Sequence, residues 1–475
     1  MTSTAADGLP ALEARIARDL EITAYPKRDW VAPIAAPDGT AALDCAIVGG
    51  GQFGLALSFG LRREGVGRVA CFDRAEEGFE GPWMSFARMS MLRTPKELTG
   101  PEFGIPSLAF RSWYEAQHGA AAWTAMHRIP RPDWMAYLRW YRRTTGTDLR
   151  NRHDCVRIEP VGDKLFRLDF DTPDGKRAVY ASTVIQATGA EGSGGRNVPE
   201  FVRAGLPAHL YAHTNDAIDF AALKGKRIGV LGAGASAFDN AIAALEAGAA
   251  SVDLCFRRAE LPRANPRRWM EYPGFLGHFP SLDDSMRWAY MRRLYAIGQP
   301  PPKPTHDRAM AFANLRVRAG TPWNAVASPD GKTVTVASGA ETLVYDFVIV
   351  ATGLYVDLAK RPEYAAFIDR VALWKHRYTP PADLTEPRLG EFLYLGPYGE
   401  LTERTPGTAP FLGRLFNVTR ASVLSLGPVS ASNSGMKYVA PRLVSGVVRR
   451  LFLDQADAAY AHFLSGDHAE LPGGI

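Results

Sequence analysis

The chain has 475 residues, 46% hydrophobic and 22% charged, which is enough core-forming material for two or three domains. A net charge of +5, a mean hydropathy of −0.14 and the lack of any run of about 18 apolar residues give no membrane span. The basic residues cluster only in pairs such as Arg267-Arg268 and Arg292-Arg293, which anionic cofactors account for without nucleic acid.

The N-terminal extension, residues 1–43, holds an amphipathic pattern over Leu9–Ile22 that predicts a surface helix. It has no basic stretch followed by an apolar one, so no secretory leader is expected. The four cysteines, Cys45, Cys71, Cys155 and Cys255, form no C-x-x-C and fall largely in strand-like segments. Free buried thiols in a reducing cytoplasm are expected. The ten histidines stand at no metal-ligand spacing, so no metal is expected.

The first chemical signal is "CAIVGGGQFGLALSFGLRREGVGRVACFDR". Asp44–Val48 reads as a parallel strand, and Gly49-x-Gly51-x-x-Gly54 follows it directly. In such a turn the first glycine permits the bend, the second lets backbone approach a pyrophosphate, and the third lets helix and strand pack closely. The second strand ends at Asp73, 24 residues beyond Gly49, where a carboxylate can accept from both hydroxyls of an unphosphorylated ribose. Arg74 follows it. Strand-like runs after this unit turn at Asp174-Gly175 and end in Ala-Thr-Gly, with Thr188 and Gly189.

The pattern then repeats. "IGVLGAGASAFDNAIAALEAGAASVDLCFRR" carries a strand at Arg227–Leu231 and the turn Gly232-x-Gly234-x-Ser236-Ala237, with alanine as an allowed last position. The position matching Asp73 is Phe256, and Arg257 and Arg258 follow. An acid that would bind a free 2′-hydroxyl is replaced by two guanidiniums, which suit a 2′-phosphate. The first site therefore fits FAD and the second NADPH. This unit too closes on Ala-Thr-Gly, with Thr352 and Gly353. Leu261–Trp323, rich in arginine and aromatics and carrying "GQPPPKPTH", reads as an insertion that shapes a pocket. The C-terminal stretch through Gly427 ends in a helical pattern returning to the first unit.

The expected fold is α/β with two Rossmann-like dinucleotide-binding domains, the second inserted in the first. The first domain takes 44–214 and 341–475, and the second takes 215–340.

With Gly81-Pro82-Trp83, "LRTPKELTGP" (Leu92–Pro101) and "ATGLYVD" (Ala351–Asp357) added to the two turns, the chain resembles the class B flavoprotein monooxygenases. These include the flavin-containing and N-hydroxylating monooxygenases. The resemblance spans about residues 44–357 and implies NADPH- and O2-dependent oxygenation of a small-molecule substrate through a C4a-hydroperoxyflavin. It places Trp83, Leu92 and Arg93 near FAD, Gly427 among the cofactor contacts, and Thr94 and Lys96 on the flavin-facing loop as catalytic candidates. Thr94 stands where flavin-containing monooxygenases carry asparagine. The Baeyer–Villiger fingerprint F-x-G-x-x-x-H-x-x-x-W is absent, and "RIPRPDWMAYLRWY" is similar to a helix of N-hydroxylating members. N-hydroxylation of an amine or amino acid leads, with S-oxidation and ketone oxygenation as alternatives and a disulfide reductase or uncoupled oxidase further off. Arg263, Asn265 and Arg267 are substrate candidates, with Arg268 beside them. Whether these arginines serve NADPH or substrate stays open, as does a homo-oligomer.

Overall fold

Two sheets, one mixed and one parallel, each containing one of the glycine-turn strands, frame the computed structural model, which describes residues 8–26, 28–97, 99–465 and Glu470. Residues 1–7 of the expected extension and Leu98 of the quoted loop lie outside the described residues.

The first sheet runs in the order β3 (Leu149–Arg150), β2 (Val69–Phe72), β1 (Leu43–Val48), β6 (Gly175–Gln186), β5 (Leu165–Thr172), β4 (Asp154–Val161), with β17 (Leu415–Asn417) also pairing β6. Cys45, Ala46 and Ile47 of β1 are wholly buried, as expected of a parallel strand covered on both faces. β6 changes role along its length. Its first half forms a hairpin with β5, and Ala181–Gln186 joins β1 in parallel. Pro173 and Asp174 form the turn, one residue earlier than the sequence reading placed it. Gly175 opens β6 at φ +101, a backbone state that favours glycine.

The second sheet is β11 (Leu315–Arg318), β10 (Ser251–Cys255), β9 (Arg227–Leu231), β15 (Phe347–Val350), β8 (Tyr211–His213), all parallel. It takes in strands on both sides of the 215–340 span. Tyr211–His213 and Phe347–Val350, assigned from sequence to the first domain, hydrogen-bond into the second sheet. Val348, Ile349 and Val350 are fully buried there, which explains the placement. The second meander, β12 (Ala325–Ala327), β13 (Val334–Ser338) and β14 (Glu341–Tyr345), is a separate antiparallel sheet. In the first unit the meander's last strand and the strand before Ala-Thr-Gly are one. In the second they part at Asp346, whose carboxylate accepts from Arg227 N at 2.8 Å.

The two crossings between units lie side by side. β7 (Gly194–Arg196) and β16 (Leu354–Val356) form an antiparallel ribbon. A Cβ on Gly194 would sit 2.5 Å from Tyr355 O, so the ribbon needs glycine there.

The helix Gly8–Ile22 is more than a surface helix. It buries Leu12 and Ile16 in the first core, accepts from Trp140 Nε1 at Glu13 Oε1 (2.9 Å), and accepts from Ser107 Oγ at Asp19. The helix Asn433–Leu453 returns to the first unit as expected, burying Met436, Val439, Leu443 and Val447 in the same core. It crosses the helix Gln52–Arg63 closely: a Cβ on Gly60 would lie 2.5 Å from Phe103 and 2.9 Å from Val444.

The inserted region forms the helices Pro266–Trp269, Pro273–His278, Asp284–Ile297 and Lys303–Met310. Phe275, Phe279, Trp288 and Met291 share a core cluster with Trp374, Phe392 and Leu424. The insertion thus packs on the C-terminal part of the chain and roofs the cleft between units. Among the described residues, no helix is long and apolar enough to cross a membrane.

Candidate active site

The two glycine turns are built alike. Gly49 has φ +109, and a Cβ there would strike Ala187 O at 2.4 Å; Gly232 has φ +126, and a Cβ would strike Ala351 O at 2.5 Å. Each first glycine is therefore packed on the alanine carbonyl of its own Ala-Thr-Gly, the physical reason the two motifs recur as a pair. Gly54 lies against Gly49 O, which a Cβ would approach to 2.0 Å, so helix and turn meet only if it is glycine.

The middle glycines differ in kind. A Cβ on Gly51 meets nothing nearer than 3.9 Å, and one on Gly234 meets nothing within 4 Å. This open space lies at the N-termini of Gln52–Arg63 and Ala235–Glu246, whose free N–H groups and dipoles favour an anion. The cradles fit a dinucleotide pyrophosphate at both turns.

Asp73 accepts from Gly50 N (2.7 Å) through one carboxylate oxygen and from Ala75 N (2.8 Å) through the other. Each oxygen keeps a lone pair for a ribose hydroxyl. The helix Arg131–Thr145, carrying the quoted "RPDWMAYLRWY", places Met135, Leu138 and Arg142 beside Gly50 and Gly51 around a cavity of about 80 Å³. At the second turn Phe256 is buried, and Arg257 is exposed with no hydrogen bond or ion pair among the described residues. Arg258 is already engaged, donating to Ile297 O (2.6 Å) and Ala296 O (3.2 Å) at the end of the helix Asp284–Ile297.

Between the units lies a second cavity, of about 260 Å³. The first unit supplies Ala190, Arg420, Val423 and Ser432, and the insertion supplies Arg267, Met291, Tyr295 and Gln299. No Asp or Glu lines it. Burial lowers Arg267 from its ordinary value, and the charges of Arg420 and Arg93 push the same way. An arginine stays protonated at neutral pH even so.

A FAD-NAD(P)-binding family model matches residues 46–191, and an L-lysine 6-monooxygenase/L-ornithine 5-monooxygenase model matches residues 121–288. A FAD-dependent urate hydroxylase from Xanthomonas campestris pv. campestris is 42% identical over 468 residues, 98% of each chain. The chain belongs to the FAD-dependent monooxygenases. Solved structures share its fold. The ornithine hydroxylase of Pseudomonas aeruginosa matches at a TM-score of 0.69 and 16% identity, over 86% of this chain and 100% of that one. The ornithine N-hydroxylase of Kutzneria sp. 744 matches at 0.64 and 17%, over 86% and 99%. The cofactors of this monooxygenase are FAD and a nicotinamide dinucleotide.

Other expected site residues of the monooxygenase fall in different places. Trp83 is buried edge-on to Trp134, with ring centroids 6.4 Å apart. Leu92 is buried, its N–H donating to Ile129 O. Arg93 reaches across to the second unit and pairs with Asp239 at 2.5 Å. Arg74 lies 3.6 Å from Glu191. Thr188 packs against Gly192, and Gly189 is open at φ +70. Thr352 Oγ1 donates to Asn197 O, and Gly353 O accepts from His213 Nε2 at 2.9 Å. Ser236 is exposed at the start of its helix, followed by buried Ala237. Gly427, at φ +118, packs on Phe279.

Three expectations are corrected. Lys96 does not offer its ammonium to the cleft. It donates to Trp123 O and Met126 O, both at 2.6 Å, and lies 4.7 Å from the Trp123 ring centroid, closing the helix Phe110–Ala125. Arg263 is exposed beside Glu260, and Asn265 caps Pro266–Trp269 by accepting from Arg267 N. Neither lines the cavity, whereas Arg267 does. Thr94 is half-buried and makes no side-chain hydrogen bond among the described residues.

Sequence reasoning passed over Arg420, Tyr295, Gln299 and Ser432. They belong to no spaced motif, and only the docking of the insertion on the C-terminal segment brings them together. Among the described residues no group of three or more His, Cys, Asp or Glu is placed to hold a metal ion.

Proposed function

We propose that this monooxygenase hydroxylates urate or a closely similar anionic purine. FAD is held at Gly49–Gly54 and NADPH at Gly232–Ala237, with Arg257 on the 2′-phosphate. The observation that carries the reading is the end-to-end relationship to a urate hydroxylase at 42% identity. The cleft supports it. Urate is an anion at neutral pH, and the cavity presents guanidiniums without a carboxylate to receive an ammonium.

FAD held at Gly49–Gly54 would supply the redox chemistry between NADPH and O2. One oxygen atom enters the substrate and the other leaves as water, with NADPH and one proton supplying the two electrons and the hydrogen. The chain binds and orients. The glycine turns fix the two pyrophosphates, Tyr295, Gln299 and Ser432 offer neutral partners to a heterocycle's edges, and Met291, Leu294 and Val423 keep water out.

The second reading, N-hydroxylation of an amine or amino acid, rests on the lysine/ornithine monooxygenase match over 121–288. NADPH oxidation and O2 uptake, with peroxide measured in parallel, decide between them over urate, xanthine, ornithine, lysine and a sulfide. Urate-stimulated turnover with little peroxide is expected. Stimulation by ornithine or lysine and none by urate overturns the proposal.

A further inference from the structure

Arg267 and Arg420 both line the cavity, one from the insertion and one from the turn after β17. Arg267 is held in place: its Nη1 donates to Pro428 O at 3.0 Å, and its backbone N–H is capped by Asn265. It has no ion-pair partner among the described residues. Arg420 makes no side-chain hydrogen bond or ion pair there either, and its Nε is buried without a partner. Most arginines near the cleft are engaged: Arg93 with Asp239, Arg258 with helix carbonyls and Arg388 with Glu386. Two guanidiniums facing one small cavity repel each other, and a buried donor left unmade is unfavourable. A folded protein keeps such an arrangement where a ligand completes it. Neither glycine turn lines this cavity, so the anion to be held is not a dinucleotide pyrophosphate.

We infer that Arg267 and Arg420 are the specificity-determining pair of this monooxygenase, a clamp with one arm on each unit that admits the substrate only as a planar anion. The inference rests on the proposed urate-class reading for the identity of that anion, but not for its charge. Arg388 lies 4.9 Å from the Tyr295 ring centroid, with the Tyr295 ring contributing a face to the cavity. The anion's negative charge relieves the repulsion between the two guanidiniums.

The test uses the FAD-loaded full chain. Calorimetry compares benzoate with benzamide, a planar anion and its near-isosteric neutral partner, and steady-state kinetics give KM for urate and for NADPH. Wild type should bind benzoate in preference to benzamide. Arg420→Gln and Arg267→Gln should each erase that preference and raise the urate KM by about tenfold or more, with NADPH KM and FAD content kept. Arg420→Lys, which keeps the charge but not the fork, should recover part of the loss. Equal binding of the two probes by wild type, or binding of neither, overturns the clamp without any variant having to fold. So does a urate KM unchanged in both glutamine variants, or a rise in NADPH KM instead. Arginine-dependent benzoate binding in an enzyme that does not turn over urate upholds the clamp and sinks urate as its substrate.

Discussion

Arg93 Nη2 lies 2.5 Å from Asp239 Oδ2, joining the loop after Gly81-Pro82-Trp83 to the helix headed by the second glycine turn. Asp239 is buried and Arg93 about one-third exposed. Arg308 makes a second link between units, donating to Ser90 Oγ at 3.3 Å. Burial raises Asp239 above its ordinary value, and Arg93 opposes this without overcoming it. Folding therefore favours the protonated acid. That contribution is full below the unfolded value of 3.8 and is lost as pH rises through the higher folded value. At neutral pH the pair works less as a net stabiliser than as a register between units.

The coupling of Arg93 and Asp239 should show in a double-mutant cycle. Arg93→Ala and Asp239→Ala together should destabilise less than the sum of the singles, by about 0.5–3 kcal/mol. Each single should raise NADPH KM, because the helix that carries the second turn loses its tie. Additive effects in denaturant unfolding would show that the two side chains do not work as a unit.

The glycines divide into structural and ligand-facing classes. Gly54→Ala places a methyl 2.0 Å from Gly49 O and should yield protein with little FAD and a lowered Tm. Gly234→Ala meets nothing within 4 Å, so Tm should hold while NADPH KM rises steeply, the methyl standing where the pyrophosphate approaches. A Gly234→Ala variant with wild-type NADPH KM would move that pyrophosphate elsewhere.

Arg257 and Arg258, adjacent in sequence, should separate in function. Arg257→Ala should raise KM for NADPH about tenfold or more and leave NADH nearly untouched, as expected when a charge-assisted contact to a phosphate is lost. Arg258→Ala strips two carbonyls at the end of Asp284–Ile297 of their donor and should lower Tm, with a smaller change in cofactor preference. The opposite pattern in a comparison of the two coenzymes would assign the 2′-phosphate to Arg258.

Thr94 and Lys96 should also part company. Lys96→Met removes the donor to Trp123 O and Met126 O and should destabilise by about 1–3 kcal/mol, without raising the peroxide released per NADPH oxidised. Thr94→Ala should leave Tm close to wild type and raise peroxide release, if its unengaged hydroxyl serves the flavin side. Peroxide assays alongside thermal melts separate the two, and leakage in Lys96→Met alone would reverse the assignment.

The thiols should be silent. Cys45 is pushed up to about 12 by burial, and Cys71 and Cys155 are raised further for the same reason. A thiol reagent at pH 8 should label the native enzyme only on unfolding and leave turnover intact. Rapid labelling with loss of NADPH oxidation would point back to disulfide reduction.

By itself, the sequence determined whatever local backbone chemistry dictates. The two glycine turns, the strands ahead of them and the helices behind them were legible because each depends on neighbours within one strand–turn–helix unit. The contact of each first glycine with the alanine carbonyl of its own Ala-Thr-Gly shows why those distant motifs travel together. Only the tertiary structure decided the rest. Tyr211–His213 and Phe347–Val350 belong to the second sheet because pairing, not composition, sets sheet membership. Lys96 closes a helix that begins 14 residues beyond it, and a lysine's sequence context does not say which carbonyls it will meet. Arg420 lies in no motif at all. It became a candidate site residue when the insertion, packing Phe279 and Trp288 beside Leu424, brought Arg267 into the lining of the same small cavity.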